Sequence, residues 1–411
     1  MKQVGIYCRT LNENFFIQDD KVFVKKELAG DVLQAYWITK NIIQNMKDNN
    51  LENLKILPYD PNLALNHFFG FYIHLFYNFK EYGYLYRGKS IGITANYTNF
   101  FFSKFITSNS LLNIFLAKLF LKFNQNFIAF FSNFINRYYF KKEFSKFIDG
   151  FLLALKNDYI KYFVFNSNRE KDFFINLFKL DKRVYEILNK LDKYVIYNCL
   201  DFEEINNILL RNSFLNYRLL SDIAGISKLK LLFVGRFDRI KNILNLIKVY
   251  KKERLYRDFI LVILGYPVDY DLNYYKILKD LTKDNKNIFL ININDFANFY
   301  YEKRYLTLKL MGLSDIVILP SLEETFSLTA LEALYFNKKL IITQNSPYYE
   351  LYPDLINIFV FPIDPFNLKL REILEKINLN FSLQNLKDKI ASIFNCKEIA
   401  KRYLEIFQKY S

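Results

Sequence analysis

From residue 229 to residue 361, short apolar runs alternate with longer stretches of helical periodicity. The apolar runs occupy 229–234, 259–264, 287–292, 316–319, 339–343 and 358–361. Helical patterns fill 242–253, 271–284, 303–312, 326–336 and 367–377. A run with no polar alternation reads as a strand buried on both faces, and a helix between successive strands makes them parallel. The expectation is a doubly wound α/β sheet, whose ligands bind beyond the carboxyl ends of its strands.

The amino-terminal half carries a weaker version of the same pattern. Strands are expected at 4–7, 54–57, 90–94, 162–166 and 194–197, with a helix over 31–46 after Gly30. Between about 100 and 160 the pattern turns helical, rich in aromatic residues and lysine, and reads as an insertion. Periodicity lapses at 215–228. A chain of 411 residues exceeds one ordinary core, so that lapse is the expected boundary and hinge. The division is 1–220, 221–385 and a terminal segment 386–411.

With 52% hydrophobic and 24% charged residues the chain is a packed protein and not a disordered one. Its net charge of +15 admits nucleic acid, anionic lipid or an anionic small substrate as partner. A bias toward Lys, Asn, Ile, Phe and Tyr dilutes that signal. No nucleic-acid recognition motif is present, so no nucleic-acid partner is expected. Residues 101–161 hold nine Lys or Arg against three Asp or Glu. Interleaved with aromatics, that charge suits a helix lying on an anionic membrane surface, or else an ordinary core helix. The longest charge-free run there, 123–136, is too short to span a bilayer. Cys8, Cys199 and Cys396 are odd in number and far apart, which supports neither a zinc site nor a disulfide framework and favours a reducing cytosol. The first ten residues read as a strand and not as a signal peptide.

Two segments carry candidate chemistry. In VGRFDRIKN (234–242) a strand ends, Gly235 permits a turn and a helix begins, with Arg236 and Lys241 on either side. Two cations near a helix start form a seat for phosphate or diphosphate. In LPSLEETFSLTALEAL (319–334) a buried strand runs into a loop with Glu323 and Glu324, then a helix carrying Glu332 among apolar residues. A carboxylate in such surroundings needs a partner, and the adjacent hydroxyls of a ribose would serve. The backbone N–H groups of Phe326, Ser327 and Leu328 stand at the helix start. Eight residues of helix rise about 12 Å, so the two acids suit separate jobs better than a hydrolytic pair.

This stretch resembles the E-x7-E signature of retaining glycosyltransferases of family 4, which have the GT-B fold. The resemblance is carried by Glu324-Thr325-Phe326-Ser327-Leu328 and Leu331-Glu332-Ala333, and by Gly235-Arg236 and Lys241 in the family's G-R-x4-K segment. Tyr197 to Asp201 is similar to its P-N-G-V-D turn, Ser314-Asp315-Ile316 to its A-D-V, and Ser346-Pro347 to Glu350 to its G-G-x-x-E.

The resemblance implies two Rossmann-like doubly wound domains facing a central cleft, an acceptor side at 1–220 and a nucleotide-sugar side at 221–385. It implies that 386–411 crosses back to the first domain. The donor would be a UDP- or GDP-hexose, the acceptor a glycan or a lipid-linked glycan, and neither a metal nor a further cofactor would be required. Arg236 and Lys241 would hold the diphosphate, Glu324 the sugar hydroxyls and Glu332 the ribose. Gly235, Thr325, Phe326, Ser327 and Leu328 would line the donor, with Gly30 as a weaker contact. The sequence departs from the family where Thr325 and Ser327 replace glycines, and where 93–97 lacks a histidine. His67 is the remaining acceptor-side candidate. The expected setting is the cytoplasm or the inner face of its membrane. A non-catalytic scaffold and a sugar-nucleotide epimerase are the competing readings.

Overall fold

The computed structural model describes residues 2–6, 15–18, 21–24, 30–49, 54–58, 94–95, 162–165, 167–178, 182–210, 218–268, 271–322, 324, 326–343, 346–348, 358–361, 370–377 and 386–410. These fall into two compact units. One takes the residues through Cys199 and resumes at Cys396; the other is Leu200–Asn395.

In the first unit β1 (Lys2–Ile6) is followed by a hairpin, β2 (Phe15–Gln18) with β3 (Lys21–Val24). Helix α1 (Gly30–Asp48) then leads to β4 (Leu54–Pro58), which pairs parallel with β1. The hairpin was not expected, because two four-residue strands joined by Asp19-Asp20 are too brief for a clear alternation. Strands β5 (Thr94–Ala95), β6 (Tyr162–Phe165) and β7 (Asp192–Val195) form a parallel sheet in that order. Helices α2 (Asn168–Phe178) and α3 (Lys182–Lys190) join β6 to β7. Strand β7 begins two residues before the expected start, because Asp192 pairs with Tyr162 at the head of β6.

The carboxyl-terminal helix (Cys396–Tyr410) belongs to this unit and packs along α1. Asn45 Nδ2 donates to the Lys397 carbonyl (2.9 Å), and Lys409 pairs with Asp192 at 2.8 Å. The helical insertion expected at 100–160 lies outside the described residues.

The cysteine reading needs correction, since Cys199 and Cys396 form a disulfide. Their separation of 197 residues hides their proximity. The chain leaves the unit after Cys199 and re-enters it at Cys396, which brings the two ends together. The odd count came from Cys8, outside the described residues.

The second unit opens with α4 (Phe202–Leu210) and α5 (Arg218–Ala224). There follow β8 (Leu229–Val234), α6 (Ile243–Lys252), β9 (Phe259–Gly265), α7 (Leu272–Thr282) and β10 (Ile288–Asn292). Helix α8 (Tyr300–Leu313), β11 (Ile316–Leu319), α9 (Leu328–Tyr335), β12 (Lys339–Thr343) and β13 (Ile358–Phe361) complete the sheet. Helices α10 (Leu370–Lys376) and α11 (Leu386–Ile393) close the unit.

All six strands expected from the sequence are present, parallel, in the order β10-β9-β8-β11-β12-β13. This is the dinucleotide-fold order 3-2-1-4-5-6. Every residue of β9, β11 and β12 is buried. Leu261, Ile263 and Leu264 are each fully enclosed, and burial stabilises each by roughly 1.5–3 kcal/mol relative to exposure. Helix α8 starts three residues earlier than its periodicity indicates. The Glu302 carboxylate reaches back to the N–H groups of Asn298 and Phe299 (2.9 and 3.2 Å) and fixes the start there.

Candidate active site

In this strand order the chain winds outward in opposite directions from β8 and β11. The crevice beyond their carboxyl ends is the topological switch point, where such sheets bind ligands. Both chemistry-bearing segments lie there: 235–242 continues from β8, and 320–327 from β11.

The first segment is held by backbone pairing with the end of β9. Gly235 N–H donates to the Leu264 carbonyl (3.0 Å), and Phe237 N–H to that of Tyr266 (2.8 Å). This approach depends on Gly265, since a Cβ there would stand 1.8 Å from the Gly235 carbonyl oxygen. Phe237 is fully buried and stacks on Tyr275 with ring centroids 5.2 Å apart. In place of the expected helix start, a single 3-10 turn (Arg239–Lys241) follows, capped by Asp238, whose carboxylate accepts from Ile240 N–H. Asn242 then takes φ 56°, a left-handed conformation that asparagine tolerates, and α6 begins at Ile243. The cations of the segment diverge. Arg239 bonds Asp271 at 2.6 Å and lies over the Tyr274 ring, whereas Arg236 remains 38% exposed with its Nη2 3.7 Å from Asp238 Oδ2.

The second segment is tied to the first by Leu322 N–H, which donates to the Ile240 carbonyl (2.8 Å). Thr343 Oγ1 donates to the Ser321 carbonyl (2.7 Å) and anchors the loop to β12. Glu324 is 8% exposed, and Lys241 Nζ bonds its Oε2 at 2.7 Å. An acid and a base singled out separately from sequence are thus one pair. The Ser327 hydroxyl accepts from Ala330 N–H (3.2 Å) and caps α9; its carbonyl accepts from Tyr348 O–H (3.0 Å). Phe326 is buried against Tyr348 and Phe394. Leu328 is the first residue of α9. The helix ends at Tyr335, and Asn337 just beyond it takes a left-handed conformation at φ 54°.

Glu332, 2% exposed on α9, takes a 2.6 Å bond on Oε1 from Arg304 Nη2 of α8. Burial alone would depress the pKa of Arg304, but the Glu332 carboxylate, with Tyr300 and Glu204 near it, outweighs burial and raises it. Thr325 and His67 lie outside the described residues, and Gly30 opens α1 in the first unit. Among the described residues no group of three or more His, Cys, Asp or Glu could hold a metal.

Sequence reading missed Arg304, Asp238 and Gly265. Arg304 had a usable signal. It falls four residues from Tyr300 and from Leu308, on the apolar face of its helix, where an arginine needs a buried acid.

Residues 224–389 match the family model described as Glycosyl transferases group 1. That match lies within the second unit. No curated protein matches the chain by sequence. Among solved structures, sucrose-phosphate synthase from Thermosynechococcus elongatus is similar over 100% of this chain and 99% of its own, at 13% identity and a TM-score of 0.59. A glycosyltransferase from Rickettsia africae is similar over 89% of this chain and 87% of its own, at 17% identity and a TM-score of 0.51. A trehalose-6-phosphate protein from E. coli, bound with UDP-2-fluoro glucose, is similar over 67% of this chain, at 11% identity and a TM-score of 0.50. The chain spans 65% of that protein's length, and 63% of that of a trehalose-6-phosphate synthase. At these identities the likeness is one of fold. The fold is GT-B, and the stretch matched by the family model includes both segments of the switch point. Among the described residues no helix is long and apolar enough to cross a membrane.

Proposed function

We propose that the protein is a retaining glycosyltransferase of family 4, moving a hexose from a UDP- or GDP-sugar to a glycan or lipid-linked acceptor. The observation that carries this reading is the Lys241–Glu324 pair at the switch point of a group 1 domain. Arg236 and Lys241 hold the donor diphosphate and stabilise its charge as it departs, by preorganised donors and not by a metal. An ammonium has three protons, so Lys241 can meet a phosphate oxygen while keeping Glu324. Glu324 Oε1, which takes no bond among the described residues, accepts from a sugar hydroxyl. Glu332 accepts from the ribose. The start of α9 at Phe326, Ser327 and Leu328, with Gly235 and Thr325 nearby in sequence, lines the donor. The neighbour bound with UDP-2-fluoro glucose supports a nucleotide-sugar donor.

Residues 1–220 form the acceptor domain in this proposal, with Gly30 and His67 as its candidates. The segment 221–385 is the donor domain, and 386–411 is the return segment. The basic aromatic stretch at 100–160 holds the protein on the cytoplasmic face of a membrane; no flotation with anionic liposomes would refute that part. Thiols stay reduced in most cytosols, so the state of Cys199 and Cys396 bears on this setting.

One observation favours a second reading, a non-catalytic scaffold: both Glu324 and Glu332 already have internal partners. A donor screen separates the two. Incubation with UDP- and GDP-sugars should release nucleotide for one donor, with release lost in Arg236→Ala and Glu332→Ala. No release and no thermal stabilisation by any donor would favour the scaffold.

A further inference from the structure

Glu204, Tyr300, Arg304 and Glu332 form a buried polar series inside the second unit, each 8% exposed or less. Tyr300 O–H donates to Glu204 Oε1 at 2.7 Å, and Arg304 Nη2 to Glu332 Oε1 at 2.6 Å. Tyr300 and Arg304 are four residues apart on α8, so one helix face carries both donors. The series contains two carboxylates and one guanidinium. Glu332 Oε2 takes no bond among the described residues. A buried carboxylate oxygen of this kind favours a ligand that brings hydroxyl donors and no negative charge of its own at that point.

A glutamate side chain has several rotatable bonds, and ordering it on ligand binding costs affinity. Arg304 lowers that cost in advance, because its charge-assisted bond from Nη2 holds one carboxylate oxygen and restricts where the other can stand.

We propose that Arg304 is a positioning residue for nucleotide recognition: by holding Glu332 through Oε1, it aims Oε2 at the 2′- and 3′-hydroxyls of the donor's ribose. This rests on the reading of Glu332 as the ribose contact. Arg304 does not touch the donor. It acts through Glu332, so its removal weakens the recognition of ribose hydroxyls in particular and not nucleotide binding in general.

The test is calorimetric titration of the full chain with uridine diphosphate and with its 2′,3′-dideoxy analogue, or with the guanosine pair if guanosine diphosphate binds more tightly. The wild type should favour the hydroxylated nucleotide by about tenfold or more, the worth of hydrogen bonds to a charged group. In Arg304→Gln that preference should collapse toward one, while affinity for the dideoxy analogue changes little. Arg304→Lys, which retains a charge but not the guanidinium, should recover part of it. If the variants keep the wild-type preference, or lose affinity for both nucleotides equally, Arg304 does not position the carboxylate and the proposal falls. Loss of cooperative melting in both variants would assign Arg304 to the fold and overturn it too. A wild type that binds neither nucleotide, or shows no preference for the ribose hydroxyls, would instead remove the ribose reading, and this inference with it.

Discussion

Lys241 Nζ stands 2.7 Å from Glu324 Oε2, across 83 residues of chain. The pair joins the turn after β8 to the loop after β11, at the point where a parallel sheet of this order opens for a ligand. Lys241→Ala should lower turnover about 100-fold or more, the usual loss when a preorganised donor to a developing charge is removed. Glu324→Gln should keep the hydrogen bond and the fold while raising KM for the donor sugar. Steady-state kinetics of the two variants, with circular dichroism as a check on folding, tests both. Wild-type kinetics in Lys241→Ala would remove the lysine from the site.

Gly265 and Gly312 should respond oppositely to the same substitution. A Cβ at Gly265 meets the Gly235 carbonyl oxygen at 1.8 Å and the Phe237 ring at 2.8 Å, so Gly265→Ala must displace the turn carrying Arg236. The expected cost is about 3 kcal/mol, with weaker nucleotide binding. A Cβ at Gly312 meets nothing within 4 Å, and the residue lies within α8. Gly312→Ala should stabilise the protein by roughly 0.5–1 kcal/mol through helix propensity. Urea melts of both variants give the comparison.

The Cys199–Cys396 bond predicts that unreduced chain is two hydrogens lighter than reduced chain by intact mass. After denaturation without reductant, one thiol, that of Cys8, should react with an alkylating reagent. Replacing both bonded cysteines by serine should cost about 2–4 kcal/mol of stability. Three reactive thiols in freshly isolated chain would contradict the bond.

The second unit was largely legible in the sequence, because six apolar runs and their intervening helices carry the fold in local periodicity. Its first loop was less so. The 3-10 turn and the left-handed Asn242 arise from Asp238 bonding its own backbone, which no periodicity reports. Glu324 and Lys241 were each visible as site residues, but their pairing depends on β8 and β11 being neighbours, a property of the strand order. Arg304 stood on an apolar helix face and could have been sought as the partner of Glu332. The disulfide was illegible for a different reason: the chain leaves and re-enters one unit, so sequence distance carried no information about proximity.

The central claim is that a nucleotide diphosphate binds at the β8–β11 switch point through Arg236, Lys241 and Glu332. Calorimetric titration of the wild type, Arg236→Ala and Glu332→Ala with uridine and guanosine diphosphates tests it most directly. One nucleotide should bind the wild type, and each variant should lose about tenfold or more in affinity. Binding of equal strength in all three proteins, or of neither nucleotide to the wild type, would contradict it.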